Sequence, residues 1–311
     1  MGQMSRGQWQ VEPGPGGALR SGGAWKRTPS VLRNWVTPAG AFPVEAGRYH
    51  LYAAWNCPWA HRVLLGRAIL GLEDALPVSF VTPRRTSDGW VFGEEPGFQD
   101  NLHGAAALHE VYAHGCPDYT GRVTVPLLYD SVTDTLVSNE SADILRMLAT
   151  VFLPLSRLPK GLVPDAQRDD IDALNATLHD GLNNAVYRAG FAETQEAYEV
   201  AVGTVFETLD MLERRLVDRT WLMGEALTEP DIRLFPTLAR FDVAYQTAFR
   251  CSRRRLVDYP RLWEYARSLY ALPGVADTVN FDIYRRGYFS PSPKRNPLGI
   301  VPVAPDISWA L

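Results

Sequence analysis

The chain has 311 residues, of which 46% are hydrophobic and 21% charged, and its formal net charge is -4. This length suits two medium domains better than one core, and the near-balanced charge gives no electrostatic reason to expect a nucleic-acid partner. No run approaches the roughly 18 apolar residues that span a bilayer, and the first residues lack an apolar signal-peptide core, so a cytoplasmic protein without a membrane partner is expected. Cys57, Cys116 and Cys251 are too few for a secreted disulfide framework, and their odd number leaves at least one free thiol.

In chain order, residues 1–45 are rich in Gly, Ser and Pro ("EPGPGG", "SGGAW") and show neither helical nor strand period, which predicts an extended arm. From Arg48 the text becomes strand-like, with His50, Tyr52 and Ala54 alternating with Tyr49, Leu51 and Ala53. A helix then begins at Pro58, which suits a first helical position because its missing N–H needs no partner there. A second strand is predicted in "LPVSFVTP", followed by a long irregular insertion over residues 84–122. "VTVPLLYD" and "TLVSN" form a hairpin across "SVTD", and "ESADILRMLATVF" follows as an amphipathic helix. From Pro164 onward Leu174, Leu178, Val186, Phe206, Leu209, Leu212 and Leu216 recur at helical spacing with no convincing strand. The Pro- and aromatic-rich end reads as a tail that wraps over the body. The predicted organisation is an arm over residues 1–45, an α/β domain over 46–155, an all-helical domain over 164–280 and a wrapping tail over 281–311.

Cys57 is the first candidate for chemistry. A thiol at a helix start meets the partial positive charge of unbonded N–H groups, and the thiolate is the nucleophilic form. In Cys57-Pro58-Trp59-Ala60 the position of a second cysteine is alanine, so no local thiol can resolve a disulfide. Exchange must then pass through a mixed disulfide opened by a small thiol. The alternative is an inert structural cysteine. Pro126, inside a strand-like run, fits either a cis Val125-Pro126 bond or an edge strand. At the start of the following helix, Ser141 could bind a carboxylate and Glu140 an ammonium group, a combination suited to the γ-glutamyl end of glutathione; the alternative is a plain N-cap, which Ser or Asn would satisfy equally well.

The segments "CPWAHR", "GRVTVPLLYD", "VSNESADILRML", "VYRAGFAETQEAY" and "NPLGIVPVAP" together resemble the xi-class glutathione transferases, the glutathionyl-hydroquinone reductases. "Gly224-Glu-Ala-Leu-Thr228-Glu-Pro-Asp231" resembles the capping box of that superfamily, with Thr228 as cap and Asp231 reaching back. The resemblance implies a thioredoxin-like α/β domain followed by an all-α domain, and pairing as a homodimer. It implies glutathione as co-substrate and glutathionylated hydroquinones as substrates. Cys57 would attack the glutathionyl sulfur, and a second glutathione, or another low-mass thiol, would resolve the product. Tyr187 and Tyr288 match tyrosines of the family's substrate pocket, although Phe289 stands where a second tyrosine usually follows. Trp90 and Arg122 match residues around glutathione, and Val125 would contribute its backbone.

Other readings share part of this pattern. An omega-like thiol transferase or dehydroascorbate reductase would also have Cys57, Val125 and Glu140, and a transferase fold can be retained by a non-catalytic binding protein. His103, His109, His114 and Cys116 crowd the insertion, but no two of them stand at a compact ligand spacing, so no metal is expected. Tyr119, Tyr129, Tyr245 and Tyr265 read as packing.

Overall fold

The computed structural model describes residues 2–11, 17–19, 22–157 and 161–311. Where composition suggested an extended arm, the described residues form two hairpins: β1 (Gln3–Ser5) with β2 (Gln8–Gln10), and β3 (Gly17–Leu19) with β4 (Trp25–Arg27). Strands of three residues are too short to print an alternation on the sequence. The first turn is built from Arg6 and Gly7, both at positive φ, the geometry a tight antiparallel hairpin needs. Residues 12–16, 20 and 21, which hold most of "EPGPGG", lie outside the described residues.

The chain divides into two units, one built from residues 1–16 and 29–161, the other from 17–28 and 162–311. In the first, β5 (Tyr49–Ala53) leads through α1 (Pro58–Ile69) to β6 (Val78–Phe80), which lies parallel to β5. The sheet is completed by the hairpin β7 (Leu127–Asp130) and β8 (Thr135–Ser138), giving the order β6-β5-β7-β8 with β7 antiparallel to both neighbours. All five residues of β5 are buried, as befits a central strand covered on both faces. Arg48 clamps the end of β7, its guanidinium 2.7 Å from the fully buried Asp130 carboxylate. The insertion is not wholly irregular: it carries α2 (Leu108–Gly115), whose Leu108, Val111 and Tyr112 are buried. Two turns flanked by histidines gave too little period to recognise. α3 (Ser141–Ala149) buries Ile144, Leu145, Met147 and Leu148 and packs beside α1.

The second unit adds to the β3–β4 hairpin the helices α4 (Arg168–Leu178), α5 (Ala185–Gly190), α6 (Gln195–Arg215), α7 (Glu229–Arg240), α8 (Gln246–Ala248), α9 (Pro260–Tyr270) and α10 (Phe281–Tyr288). The apolar positions read from the sequence, Leu174 to Leu216, are all buried. π-helical turns at His179–Asn183 and Phe241–Tyr245 break the helical register. α10 lies within the stretch read as a tail without elements of its own; eight residues capped by Asn280 are helical before the chain becomes irregular. Beyond them, Trp309 packs its ring against Phe235, Trp263, Tyr270 and Phe281.

The capping box at α7 forms as expected and does more than end a helix. The fully buried Asp231 carboxylate accepts from Thr228 N–H at 2.8 Å, Leu222 N–H at 2.9 Å, the Thr228 hydroxyl at 3.0 Å and the Tyr265 hydroxyl at 2.8 Å. Removing it strands several buried donors at once. Asp231→Ala is therefore expected to cost about 3 kcal/mol and Thr228→Ala about 1 kcal/mol, read as the fall in the urea midpoint.

Candidate active site

Cys57 is the N-cap of α1, with Pro58 in the first helical position as the sequence predicted. Its Sγ accepts the Ala60 N–H at 3.4 Å, so the residue that replaces a second cysteine serves the thiol through its backbone. On the other side the thiol donates to Val125 O at 3.5 Å. The Val125-Pro126 peptide bond is cis. The sulfur therefore sits between a helix terminus and the turn leading into β7, and it is partly exposed.

Glu140 and Ser141 open α3. The helix starts at Ser141, and the cap is Glu140, whose carboxylate accepts the Ala142 N–H at 3.0 Å. Burial alone would raise the Glu140 pKa. That bond, together with Arg62, the Ser30 hydroxyl and Arg33, outweighs burial and holds it below the usual glutamate value. Glu140 thus remains an anion in a largely buried position, and Ser141 is buried beside it.

Two residues that sequence reasoning passed over join these parts. The buried Tyr112 hydroxyl donates to Thr124 O at 2.8 Å and accepts from Thr124 N–H at 3.3 Å, bracing the residue before Val125. The same oxygen accepts from Asn139 Nδ2 at 3.3 Å, and Asn139 precedes Glu140. Asn139 is held in turn by Leu32, whose N–H reaches its Oδ1 at 3.3 Å. No local motif marks Tyr112 or Asn139, because their partners lie 12 and 27 residues away along the chain.

Arg122 follows Gly121, which exchanges both backbone bonds with Met4 of β1, at 2.8 and 3.0 Å, and the Arg122 carbonyl accepts the Tyr119 hydroxyl at 3.0 Å. Trp90 is buried, with the Arg85 guanidinium 4.0 Å above its ring. Its indole N–H is buried without a partner among the described residues, an unusual state for a group that normally finds an acceptor.

In the second unit Tyr187 of α5 and Tyr288 at the end of α10 meet with their hydroxyls 2.6 Å apart. Tyr245, read from the sequence as packing, places its own hydroxyl 3.1 Å from that of Tyr288. It closes the π-helical turn before α8, and so supplies a hydroxyl beside Tyr288 although position 289 is Phe. Burial first, then Tyr187, pushes Tyr288 and Tyr245 well above the ordinary phenol value, with Arg240 opposing. All three are potential proton donors. Phe249 backs the group, stacked on Tyr245 at 5.3 Å and edge-on to Tyr187 and Tyr288. It can do so because Gly190 has no side chain: a Cβ there would stand 2.2 Å from the Phe249 ring. From β4, Arg27 lies 5.0 Å over the Tyr187 ring and donates to Asn184 Oδ1 at 3.0 Å.

Comparison with known proteins locates this geometry. Residues 56–151 match the family model "Glutathione S-transferase, N-terminal domain" and residues 195–268 match "Glutathione S-transferase, C-terminal domain". The glutathionyl-hydroquinone reductase YqjG of Escherichia coli is 44% identical over 98% of this chain and 95% of its own. The glutathione-bound structure of YqjG superposes with a TM-score of 0.86 over 89% of this chain and 94% of that one. The glutathionyl-hydroquinone reductase PcpF of Sphingobium chlorophenolicum is 46% identical over 92% of this chain and 91% of its own. A xi-class transferase structure from Natrialba magadii has a TM-score of 0.91 at 39% identity, covering 99% of this chain and 94% of that one.

The three cysteines differ in reach. Cys251 is fully buried, and burial pushes its thiol up to about 12 against the opposing pull of Arg250. At pH 8 Cys251 is therefore held as the unreactive thiol. Brief iodoacetamide treatment of the folded protein is expected to modify Cys57 and Cys116, both partly exposed, and to spare Cys251 until denaturant is added. Peptide mass mapping reads the three sites separately.

Proposed function

Because the chain belongs to the xi-class glutathione transferase family, we propose that it is a glutathionyl-hydroquinone reductase that takes glutathione off a glutathionylated hydroquinone through Cys57. The observation that carries this reading is a monothiol, Cys57, held between the Ala60 N–H and Val125 O, in a chain 44% identical to YqjG along nearly its whole length.

In the proposed cycle the Cys57 thiolate attacks the glutathionyl sulfur. An S–S bond forms as the aryl carbon–sulfur bond breaks, and the electron pair of that bond goes to the ring carbon, which takes a proton. Hydroquinone leaves, and Cys57 carries glutathione as a mixed disulfide. A second glutathione, as thiolate, attacks the glutathionyl sulfur, restores the Cys57 thiolate and leaves as glutathione disulfide. The aryl group is reduced by two electrons, and two sulfur atoms, that of the adduct's thioether and that of the second glutathione, are each oxidised by one to the disulfide level, so no further reductant is needed. Ala60 makes the second thiol obligatory, since no cysteine stands at that position.

Within the first unit we assign glutathione to the residues around Cys57. Glu140, kept anionic, and Ser141 would hold the ammonium and carboxylate of the γ-glutamyl end, and Val125 would pair through its backbone. Trp90, with its unbonded indole N–H, and Arg122 would take a carboxylate. To the second unit's tyrosines we assign the proton. Tyr288 is the best placed to donate because the hydroxyls of Tyr187 and Tyr245 flank its own and can return the proton lost. The first unit is then the glutathione-binding domain and the second the substrate domain. Pairing into a homodimer and a cytoplasmic location complete the reading; three unbonded cysteines fit a reducing compartment, and among the described residues no helix is long and apolar enough to cross a membrane.

Cys57→Ser is expected to abolish hydroquinone release and the mass gain of one glutathionyl group that wild-type protein acquires on mixing with the substrate. Release at the wild-type rate by Cys57→Ser overturns the mechanism. Tyr288→Phe is expected to lower the rate of hydroquinone release by about 10²-fold while leaving resolution of pre-formed Cys57 mixed disulfide by glutathione unchanged. Faster turnover of dehydroascorbate than of glutathionyl-hydroquinone would instead place the chain with the omega-like reductases.

A further inference from the structure

Outside the thiol site the first unit gathers three potential metal ligands that are distant in sequence. His103 sits in a turn held by Asp100, whose carboxylate accepts from Leu102 N–H at 3.0 Å and Ala105 N–H at 3.1 Å. His114 is in the last turn of α2. Asp134 occupies the β7–β8 turn in a left-handed conformation, with φ 50. One ligand atom from each lies within 4.8 Å of the other two. The imidazole rings are 4.5 Å apart, and His114 Nε2 stands 3.6 Å from Asp134 Oδ1.

A simple surface ion pair would account for one histidine and one carboxylate. It leaves unexplained the second imidazole, whose ring centroid lies 4.5 Å from the first. It also leaves unexplained His103 Nε2, which is buried without a hydrogen-bond partner among the described residues. Two imidazole nitrogens and one carboxylate form the donor set that borderline transition metals favour, whereas calcium and magnesium want oxygen throughout. The surroundings suit such an ion. The buried Tyr129 donates its hydroxyl to Asp134 Oδ1 at 3.3 Å and packs its ring edge-on against His103 at 5.0 Å, an outer shell that orients two of the three ligands. The side chains of His114 and Asp134 are 53% and 58% exposed, which leaves an entry path and room for water as a fourth ligand. Tetrahedral coordination at about 2.1 Å needs ligand atoms roughly 3.4 Å apart. The His114–Asp134 separation already meets this, and small rotations of exposed side chains close the rest.

We propose that His103, His114 and Asp134 form a binding site for a divalent transition metal of the zinc type. The ion would fasten the insertion, which carries Trp90 and Tyr112, to the β7–β8 hairpin. The site takes no part in the proposed thiol chemistry and stands independently of it.

The test is calorimetric titration of chelator-treated full-length protein with zinc sulfate, in a Cys57→Ser, Cys116→Ser background so that thiols do not compete for the ion. One equivalent is expected to bind, with the His103 and His114 ring resonances shifting in the NMR spectrum and those of His109 and His179 unmoved. His114→Ala, at an exposed position that the fold tolerates, should weaken binding at least about a hundredfold, and Tyr129→Phe about tenfold. No heat and no ring shift at a hundred micromolar zinc would overturn the site. Equal binding by His114→Ala and by His103→Gln would overturn it too, since the ion would then be held elsewhere.

Discussion

One hydroxyl holds the first unit's chemistry together. Tyr112 OH is shared by Thr124, on the approach to the turn that meets the Cys57 thiol, and by Asn139, on the approach to α3. A thiol at one helix start and an anion at another are useful only if their separation is constant. Neither helix fixes it alone. The constraint comes from a buried phenol on a third helix, and burial makes it stringent, because an unmatched donor or acceptor there would cost free energy that water cannot return. The long insertion thereby acquires a structural reason: it brings α2, and with it this phenol, beneath the two termini.

The same economy governs the second unit, where hydroxyls rather than charges converge. Tyr187, Tyr245 and Tyr288 come from α5, a π-helical turn and the end of α10. Their oxygens share hydrogen bonds, in a setting where ionising Tyr245 or Tyr288 is opposed first by burial and then by Tyr187.

Much of this was legible in the sequence, and its limits are physical. The Cys57-Pro58 helix start, the Val125-Pro126 bend, the β7–β8 hairpin and the Thr228–Asp231 box are set by interactions within a few residues, so they print on the text. Which residue caps α3 was left open in the sequence, because Ser, Asn and Glu at neighbouring positions compete for one N–H; the backbone path makes it Glu140. β1 to β4 were invisible because three residues carry no period. Tyr112, Asn139 and the Tyr245 hydroxyl were missed for another reason: each acquires its meaning from a partner brought near by the tertiary fold.

The glycine at position 190 shows what such convergence costs in adaptability. Phe249 fills the volume a side chain would occupy there, and Phe249 in turn sets how closely Tyr187, Tyr245 and Tyr288 gather. The spacing of three oxygens is thus encoded by an absent methyl group on the far side of a benzene ring. The smallest possible enlargement at this one position would press on Phe249 and through it on the hydroxyls. Tolerance to substitution in this unit is therefore least at a glycine that lies one ring away from the hydroxyls it spaces.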